Sequence, residues 1–338
     1  MKHKSKYQRG KFRTAMVGAV LSTIVIFTGA VKPVSAADTP GEGVSLTPCT
    51  STALEGWFRE MVVKRGLEAL GYEVEMPTTL SVPAFHQAVT TGDCSYAFDH
   101  WDQLHAVYYE SIESQAVLLG PGVRGASQGI LASKAVADAH GLTSLDQLSD
   151  PALAALFDSD DNGKGNLCCT APGWGAERVV NHLVGQLGLE DTIDHVQGEY
   201  SVLIADVVER HKRGEPVLFY TWTPNWLLGI LRPGKDMIWL TVAAEDCEDP
   251  LACGSSSSGF PVNDIYMLTN RAMADENPSI AGFMNAVNIP MSALNAQNMQ
   301  MHGGEDSEKD VIRHADQWIV ENKALFDKWV QSGLDASS

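Results

Sequence analysis

Strand-like and helix-like segments alternate along this chain after its N-terminal segment. Residues 43–49 ("GVSLTPC") have the pattern of a strand, residues 51–71 that of an amphipathic helix closed by glycine, and residues 72–78 that of the next strand. The alternation continues through residues 82–115. Because parallel strands need long crossover connections, usually helices, this order predicts an α/β fold with a mostly parallel sheet.

A second alternating series starts near residue 126 and ends on the strand "PVLFYTW". A loop rich in Cys, Gly and Ser then leads to one more strand and to closing helices. About 300 residues exceed what a single hydrophobic core usually serves. We therefore predict two lobes, with residues 37–125 as the first part of lobe 1, residues 126–260 as lobe 2, and residues 261–338 as the return to lobe 1.

The N-terminus is basic and then apolar. Lys and Arg residues without any acid precede the run "TAMVGAVLSTIVIFTGAV", and small residues follow at Ala36 and Ala37. This order is typical of a cleaved secretory signal peptide, which we assign to residues 1–36. A transmembrane anchor is the alternative, but the apolar run is short and leads into proline and small residues. We expect the mature protein in the periplasm or outside the cell.

The charge balance argues against one class of partner. The chain has 24 Lys and Arg against 42 Asp and Glu, a formal net charge of −18 at pH 7. The segment assigned to the signal peptide contributes basic residues and no acids, so the mature chain is more acidic still. We therefore expect no binding of nucleic acid or of an anionic membrane through a basic patch.

Six cysteines in an exported chain suggest disulfides, and they are Cys49, Cys94, Cys168, Cys169, Cys247 and Cys253. The last two bracket the short loop "EDPLA" and are the first choice for a local bridge. The first two each lie near the end of a predicted strand and are the second choice. We expect the adjacent pair not to bridge, because neighbouring cysteines cannot readily do so without strain. The spacing of a structural zinc site is lacking, so we predict no metal bound by these thiols.

Residues 125–129, "GASQG", match the nucleophile elbow of serine esterases and would make Ser127 the nucleophile. An elbow needs a buried strand before it and a helix after it. Here the strand-like residues "ILAS" follow the motif instead. We favour a glycine-rich crossover between lobes over an esterase site.

Residues 158–166, "DSDDNGKGN", space their oxygen-bearing side chains somewhat like a calcium loop. The twelfth position of an EF-hand would be Glu, and here it is Cys169. An acidic surface turn and a structural calcium site both remain open.

Three tryptophans lie in short polar or turn-like contexts: Trp101 in "FDHWDQLH", Trp174 in "PGWGAE" and Trp222 in "YTWTPNW". Two of them directly follow a predicted strand, and ligands bind at that carboxyl edge of α/β sheets. Packing at the edge of the core would explain any one of them, but three are harder to explain in this way. Aromatic rings of this kind bind sugars or quaternary ammonium groups.

The stretch "PGWGAERVVNH" ends a loop and opens a helix, so the amides of Gly175 and Ala176 are free at the positive end of the helix dipole. They offer a site for a carboxylate. His105 lies one helical turn beyond Trp101 and could donate a further hydrogen bond. Aromatic rings beside an anion site fit a small zwitterion.

The chain resembles the periplasmic glycine betaine/proline betaine-binding proteins of ABC osmoprotectant importers over nearly its whole mature length. The resemblance rests on combined motifs: "GLEALGYEVEMP", "LFDSDDNGKG", "PGWGAERVVNH", "YTWTPNW", "LRPGKDMIWL", "GFPVNDIYMLTNRA" and "LNAQNMQMHGGE".

This resemblance implies a two-lobed, type II periplasmic-binding-protein fold with a hinged cleft between two mostly parallel mixed sheets. It also implies a monomer that hands a quaternary ammonium ligand to an ABC permease in the inner membrane, without a cofactor, metal or catalytic residue. The family's aromatic box and carboxylate contacts fall on Trp101, Trp174, Trp222, His105, Gly175 and Ala176. By this analogy Trp101 and His105 belong to lobe 1, and Trp174 and Trp222 to lobe 2.

One departure from the family concerns the "PGWG" loop. Relatives carry a cysteine on each side of it, where this chain has Thr170 and Ala176. The loop must therefore be held in another way. A choline-binding protein of the same class is the alternative function, since choline would use the same rings without the carboxylate contacts, and an esterase is the less favoured one.

Overall fold

The computed structural model describes residues 39–242 and 258–337. The predicted signal peptide, residues 1–36, lies outside the described residues. The described strands are β1 (Ser45–Leu46), β2 (Pro48–Thr50), β3 (Glu73–Val74), β4 (Thr78–Thr79), β5 (Tyr96–Trp101), β6 (Ala116–Ser133), β7 (Gly165–Thr170), β8 (Ile193–Gln197), β9 (Leu218–Thr223), β10 (Met237–Trp239) and β11 (Asn263–Asn270).

The helices occupy the connections and the C-terminal part of the chain. In the same described ranges they are α1 (Trp57–Ala69), α2 (Val82–Thr91), α3 (Ala106–Glu110), α4 (Lys134–His140), α5 (Pro151–Ala154), α6 (Gly175–Gln186), α7 (Tyr200–Lys212), α8 (Leu227–Ile230), α9 (Arg271–Glu276), α10 (Pro278–Ala286), α11 (Met291–His302), α12 (Glu308–Glu321) and α13 (Lys323–Ala336). No helix in this part of the chain is both long and apolar enough to cross a membrane.

The predicted α/β fold is confirmed, and the sheet is mixed. Its strands follow the order β4-β2-β5-β11-β6-β9-β7-β8, and β10 pairs with β6. Strand β2 is parallel to β4 and β5, and β7 is parallel to β8 and β9. At the centre, however, β6 runs antiparallel to β9, β10 and β11. Strands β2, β4 and β5 form one parallel group, and β7, β8 and β9 form another. Strands β6 and β11 carry the chain between these two groups, so the pairs at the centre are antiparallel.

Strand β6 links the two groups of strands by pairing with both β11 and β9. Its first part, Ala116–Ala126, pairs with β11, which also pairs with β5. Its second part, residues 127–132, pairs with β9. The motif "GASQG" lies within this continuous strand, and the hydroxyl of Ser127 is 3.0 Å from the hydroxyl of Thr223 on β9. The turn that a nucleophile elbow requires is therefore replaced by an extended backbone.

The C-terminal helices pack back onto the first group of strands. Helix α10 contacts β6 and α13, and α1 contacts α10, α12, α13 and β5. Helix α1 is therefore covered on most of its surface, and even its charged residues Arg59 and Glu60 are buried. The sequence predicts an amphipathic helix here, but the charged side chains of Arg59 and Glu60 are buried against β5, where both bond to the backbone of Phe98.

The helix predicted within residues 102–115 is much shorter in the structure. Only Ala106–Glu110 is α-helical. The side-chain oxygen of Asn263 on β11 accepts the N–H groups of Gln103 and Leu104 at 3.1 and 2.9 Å. These amides are bound to the neighbouring strand, so the segment after β5 forms a tight turn before the helix begins.

A disulfide joins Cys49 on β2 to Cys94 just before β5, with the two Cα atoms 5.8 Å apart. This second-choice pair of the sequence analysis is confirmed. The bridge connects the two parallel strands that carry the first group of loops. The first-choice pair, Cys247 and Cys253, lies outside the described residues.

The adjacent cysteines form a disulfide with each other, and the expectation that they would not was wrong. The peptide bond between Cys168 and Cys169 is cis, and the two Cα atoms lie 3.3 Å apart. A trans peptide would hold these atoms about 3.8 Å apart. The pair ends β7 immediately before the "PGWG" loop.

Replacing both Cys49 and Cys94 by Ser should lower the free energy of unfolding by about 2 to 4 kcal/mol, since the bridge closes a loop between residues that are 45 positions apart. Urea unfolding without reductant measures this and leaves the Cys168–Cys169 disulfide formed. Coincident unfolding curves for parent and variant would contradict the prediction.

Candidate ligand-binding site

Loops at the carboxyl ends of three strands meet at one cavity, which we call the inner cavity. Strand β5 ends on Trp101, β9 ends one residue after Trp222, and β7 leads through the "PGWG" loop into α6. The inner cavity has a volume of about 50 Å³. All six residues that the sequence analysis singled out line it: Trp101, His105, Trp174, Gly175, Ala176 and Trp222.

A ring that the sequence analysis missed packs against two tryptophans of this site. The centroids of Trp174 and Trp222 lie 5.5 Å apart, with their planes at 77°. Tyr200 lies 4.6 Å from Trp222 and 5.7 Å from Trp174, and its hydroxyl is 3.1 Å from that of Thr221. Tyr200 opens α7 in a segment that gives no sign of a turn-borne aromatic residue, so only the packing of α7 against β7 and β9 reveals it.

His105 is held by the backbone of the strand that carries Trp101. Its ring Nδ1 accepts the backbone N–H of Trp101 at 3.2 Å, and its backbone N–H donates to the carbonyl of Trp101 at 2.8 Å. Because Nδ1 accepts a hydrogen, the ring proton belongs on Nε2. In this tautomer the proton that His105 can donate is on Nε2.

Behind His105 lie two more buried histidines, His86 and His100. Nδ1 of His86 is 2.8 Å from the carbonyl of Val82, and its Nε2 is 3.0 Å from Nδ1 of His100. The three rings form a group that could hold a metal ion, since one nitrogen from each lies within 4.8 Å of the others. Hydrogen bonds already engage Nδ1 of each ring, and the tautomer of His105 presents a proton instead of a lone pair at Nε2.

Burial keeps these rings uncharged. Burial lowers the pKa of His86 to about 4. It also lowers the pKa of His100 to about 3, and repulsion from a protonated His86 lowers that pKa further. Burial likewise holds the pKa of His105 well below 6.5, aided by the charges of His86, His100 and Arg178 and opposed by the carbonyl of Asp99. At neutral pH the site therefore meets a ligand with neutral imidazole rings.

The N-terminus of α6 supplies free amides. Trp174 is the N-cap residue, with φ −74° and ψ 148°, and its side chain makes no capping hydrogen bond. The N–H groups of Gly175 and Ala176 thus open the helix without a side-chain acceptor, at the positive end of its dipole. This arrangement is suited to bind an anionic group.

Gly175 also marks the closest approach of the loops. A Cβ atom at this position would lie 2.5 Å from Cγ and 2.7 Å from the carbonyl oxygen of Leu104. Leu104 follows β5, and Gly175 follows β7. Only glycine therefore lets the helix terminus come this close to the turn that carries Trp101 and His105.

The "PGWG" loop is held by hydrogen bonds on both of its sides. The hydroxyl of Thr170 lies 2.7 Å from Nε2 of His195 on β8. The N–H of Gly173 donates to the carboxylate of Glu177 at 2.7 Å, and the hydroxyl of Tyr108 donates to the Gly173 carbonyl at 3.1 Å. These contacts, with the Cys168–Cys169 bridge just before them, attach both sides of the loop.

Three charged residues also line the inner cavity, and the sequence analysis assigned no role to them. They are Glu55, Arg59 and Asp99. Asp99 accepts the indole N–H of Trp101 on Oδ1 at 3.1 Å and forms a buried ion pair with Arg59. Burial raises the pKa of Glu55, with opposing contributions that include its own backbone and Trp226. Asp99 lies two residues before Trp101, within the stretch "FDHWDQLH", and this position was the one available signal in the sequence.

A larger outer cavity of about 230 Å³ adjoins the inner one. The two share Ala53, Glu55 and Trp174. The ring of Trp226 stacks on that of His302 across its margin, with centroids 4.0 Å apart and planes at 6°. The inner and outer cavities are thus neighbouring parts of one cleft.

The acidic loop at residues 158–166 is a turn held by its own hydrogen bonds. The carboxylate of Asp158 accepts the N–H groups of Asp160, Asn162 and Gly163 at 3.2, 3.3 and 2.8 Å. These bonds lower the pKa of Asp158, that from Gly163 most strongly. The spacing of acidic residues is explained by this turn.

An α/β fold whose two groups of strands share β6, with an aromatic-lined cavity built by loops of both groups, defines a two-lobed substrate-binding protein. Residues 45–321 match the family described as the substrate binding domain of the ABC-type glycine betaine transport system. The chain belongs to this family.

Relatives and a solved structure agree with this assignment. The chain is 36% identical to the glycine betaine-binding periplasmic protein OusX of Dickeya dadantii, over 96% of this chain and 99% of the relative. It is 37% identical to the glycine betaine/proline betaine-binding periplasmic protein of Escherichia coli, over 89% and 93%. The structure of an ABC-transporter choline binding protein in complex with choline superposes with a TM-score of 0.70 at 17% identity, covering 86% of this chain and 96% of that one, and supports the fold.

His100→Asn should reduce the loss of stability in acid. A folded-state pKa of about 3, against 6.5 in the unfolded chain, means that the unfolded state gains the proton first, so stability falls as pH drops below about 6.5. Asn keeps a nitrogen near the position of Nδ1 but does not titrate. Urea midpoints at pH 6.5 and 4.5 measure the difference. His140→Asn, at an exposed site, is the control, and equal acid sensitivity of parent and His100→Asn would refute the prediction.

Proposed function

We propose that this protein binds glycine betaine, or a related quaternary ammonium zwitterion such as proline betaine or a sulfonium analogue, in the inner cavity and delivers it to an ABC permease for osmoprotection. The observation that carries the proposal is the juxtaposition of indole rings with the free amides of α6. The names of the relatives, at 36% and 37% identity, point to the same ligand class.

The cationic end of the ligand lies among Trp101, Trp174 and Trp222. A quaternary ammonium cannot donate hydrogen bonds, so the negative faces of aromatic rings are its suitable partners. Three such contacts contribute about 2 to 6 kcal/mol, with the higher value in a desolvated site. Both Trp101 and Trp222 are buried, which favours the higher part of that range.

The anionic end lies against the N-terminus of α6. The amides of Gly175 and Ala176 and the Nε2 proton of His105 donate to the carboxylate, each bond contributing about 1.5 to 3 kcal/mol before the costs of ordering. A neutral His105 donates one proton without placing a full positive charge beside the ammonium group. Micromolar affinity, about −8 kcal/mol, is within the sum of these terms.

We expect the two lobes to close over the ligand, because the residues that contact it come from both lobes. In our proposal, lobe 1 comprises residues 37–125 and 261–338, and lobe 2 comprises residues 126–260. Trp101 and His105 then come from one lobe and Trp174 and Trp222 from the other. A ligand that touches both lobes stabilises the closed state by contacts that the open state lacks.

The setting of this function is part of the proposal. Signal-peptide cleavage releases the protein into the periplasm, where it acts as a monomer and as a binding protein without catalytic activity. The relatives named above are periplasmic proteins. Binding and release need no covalent step, and the permease takes the ligand from the opened cleft.

Trp174→Ala should weaken glycine betaine binding by about tenfold or more, because one ring face is lost from a desolvated site. Titration calorimetry measures the affinity, and intrinsic fluorescence reports the same binding. Trp318→Phe is the matched control, since Trp318 packs against Phe58 and Trp329 outside the inner cavity. The proposal fails if the parent protein binds no betaine, choline, carnitine or sulfonium zwitterion.

His105→Leu should separate zwitterions from simple cations. It removes a donor to the carboxylate, so glycine betaine binding should weaken by about tenfold or more, while choline, which has no carboxylate, should change by less than about threefold. Equal losses for both ligands would contradict the assigned role. Parent protein that prefers choline would identify the alternative function.

A further inference from the structure

A buried ion pair forms part of the lining of the inner cavity. Arg59 on α1 and Asp99 on β5 are 3% and 5% exposed. Nη2 of Arg59 donates to Oδ1 of Asp99, and Nε donates to the carbonyl of Phe98 at 2.5 Å. The guanidinium carbon lies 5.6 Å from the centroid of the Phe98 ring. The pair is therefore fixed by the strand that ends on Trp101.

The same carboxylate oxygen also holds an aromatic ring of the site. Oδ1 of Asp99 accepts the indole N–H of Trp101 at 3.1 Å. A single carboxylate oxygen therefore pairs with the guanidinium of Arg59 and also orients the ring of Trp101. A change in the pair acts on the ligand in two ways, through the local electric field and through the position of the ring.

Burying two charges is costly, and such a pair often adds little stability compared with well-packed apolar residues. Its position suggests a different use. We propose that the Arg59–Asp99 pair sets the preference of the inner cavity for zwitterions over simple cations, by balancing its own charge while it holds the indole of Trp101. This inference rests on the proposed function.

The direction of each effect follows from the sign of the charge left behind. Without Arg59, the carboxylate of Asp99 is unbalanced in a desolvated site and attracts any ammonium group, while it repels the carboxylate of a zwitterion. Without the charge of Asp99, the guanidinium repels an ammonium group and attracts a carboxylate. The intact pair presents nearly no net charge, so discrimination is left to the amides of α6 and to His105.

The experiment compares Arg59→Gln, Asp99→Asn and the double variant, with the dissociation constants of glycine betaine and choline measured for each. Arg59→Gln should shift the ratio of the two affinities toward choline by about tenfold, and Asp99→Asn should shift it away from choline by a similar factor. The double variant should return to within about threefold of the parent ratio, because both charges are gone.

Arg65→Gln is the matched control, since Arg65 lies on the same helix and pairs with Asp316 at the surface. It should leave both affinities unchanged. A second test uses Trp101→Phe, which keeps a ring and removes the N–H that Asp99 accepts. Adding Asp99→Asn to Trp101→Phe should cost less glycine betaine affinity than Asp99→Asn alone.

The outcomes distinguish a failure of the proposed function from a failure of the role assigned to the ion pair. Parent protein that binds neither ligand overturns the proposed function. If the parent protein binds, this inference alone is overturned by either of two results. The ratio of glycine betaine to choline affinity is unchanged in both single variants, or both variants shift it in the same direction. Should Asp99→Asn fail to fold, which its unfolding curve would show, Arg59→Gln and the double variant still decide it: an unchanged ratio in Arg59→Gln, or one not restored in the double variant, refutes the role of the pair.

Discussion

The antiparallel pairing of one long strand determines the arrangement of the rest of the molecule. Strand β6, Ala116–Ser133, pairs through its first part with β11 and through its second part with β9. Hydrogen bonding along a continuous backbone sets the register of both groups of strands from one element. The strand ends that carry the site, on β5, β7 and β9, thereby converge on the same region.

The site depends on close contact between these converging loops. Gly175 lies against Leu104 where a Cβ atom would not fit, so the helix terminus and the turn after β5 form adjoining walls of the inner cavity. Two kinds of partner for a ligand are then available within a small volume: ring faces and backbone amides. The site needs these partners in a fixed relation, since a zwitterion must meet both at once.

Burial, which the sequence shows poorly, adjusts the chemistry of that site. His86, His100 and His105 are kept neutral by desolvation, and their hydrogen bonds set which nitrogen carries the proton. Arg59 enters the site because its side of α1 lies against β5, where it meets Asp99 and the carbonyl of Phe98. Local periodicity describes a helix alone, so it gives no warning that a distant segment will bury a charged residue.

The sequence offered the disulfide of Cys49 and Cys94 only as a second choice, but by itself it determined the α/β class and the six residues that now line one cavity. These follow from local rules: alternation of segment types, strand ends that expose loop residues, and helix starts that leave amides free. Tertiary structure alone decided the antiparallel centre of the sheet, the bond between Cys168 and Cys169, the packing of Tyr200 against Trp174 and Trp222, and the Arg59–Asp99 pair beside Trp101. Each of these depends on which distant segments meet, and such contacts leave no periodic pattern in the chain.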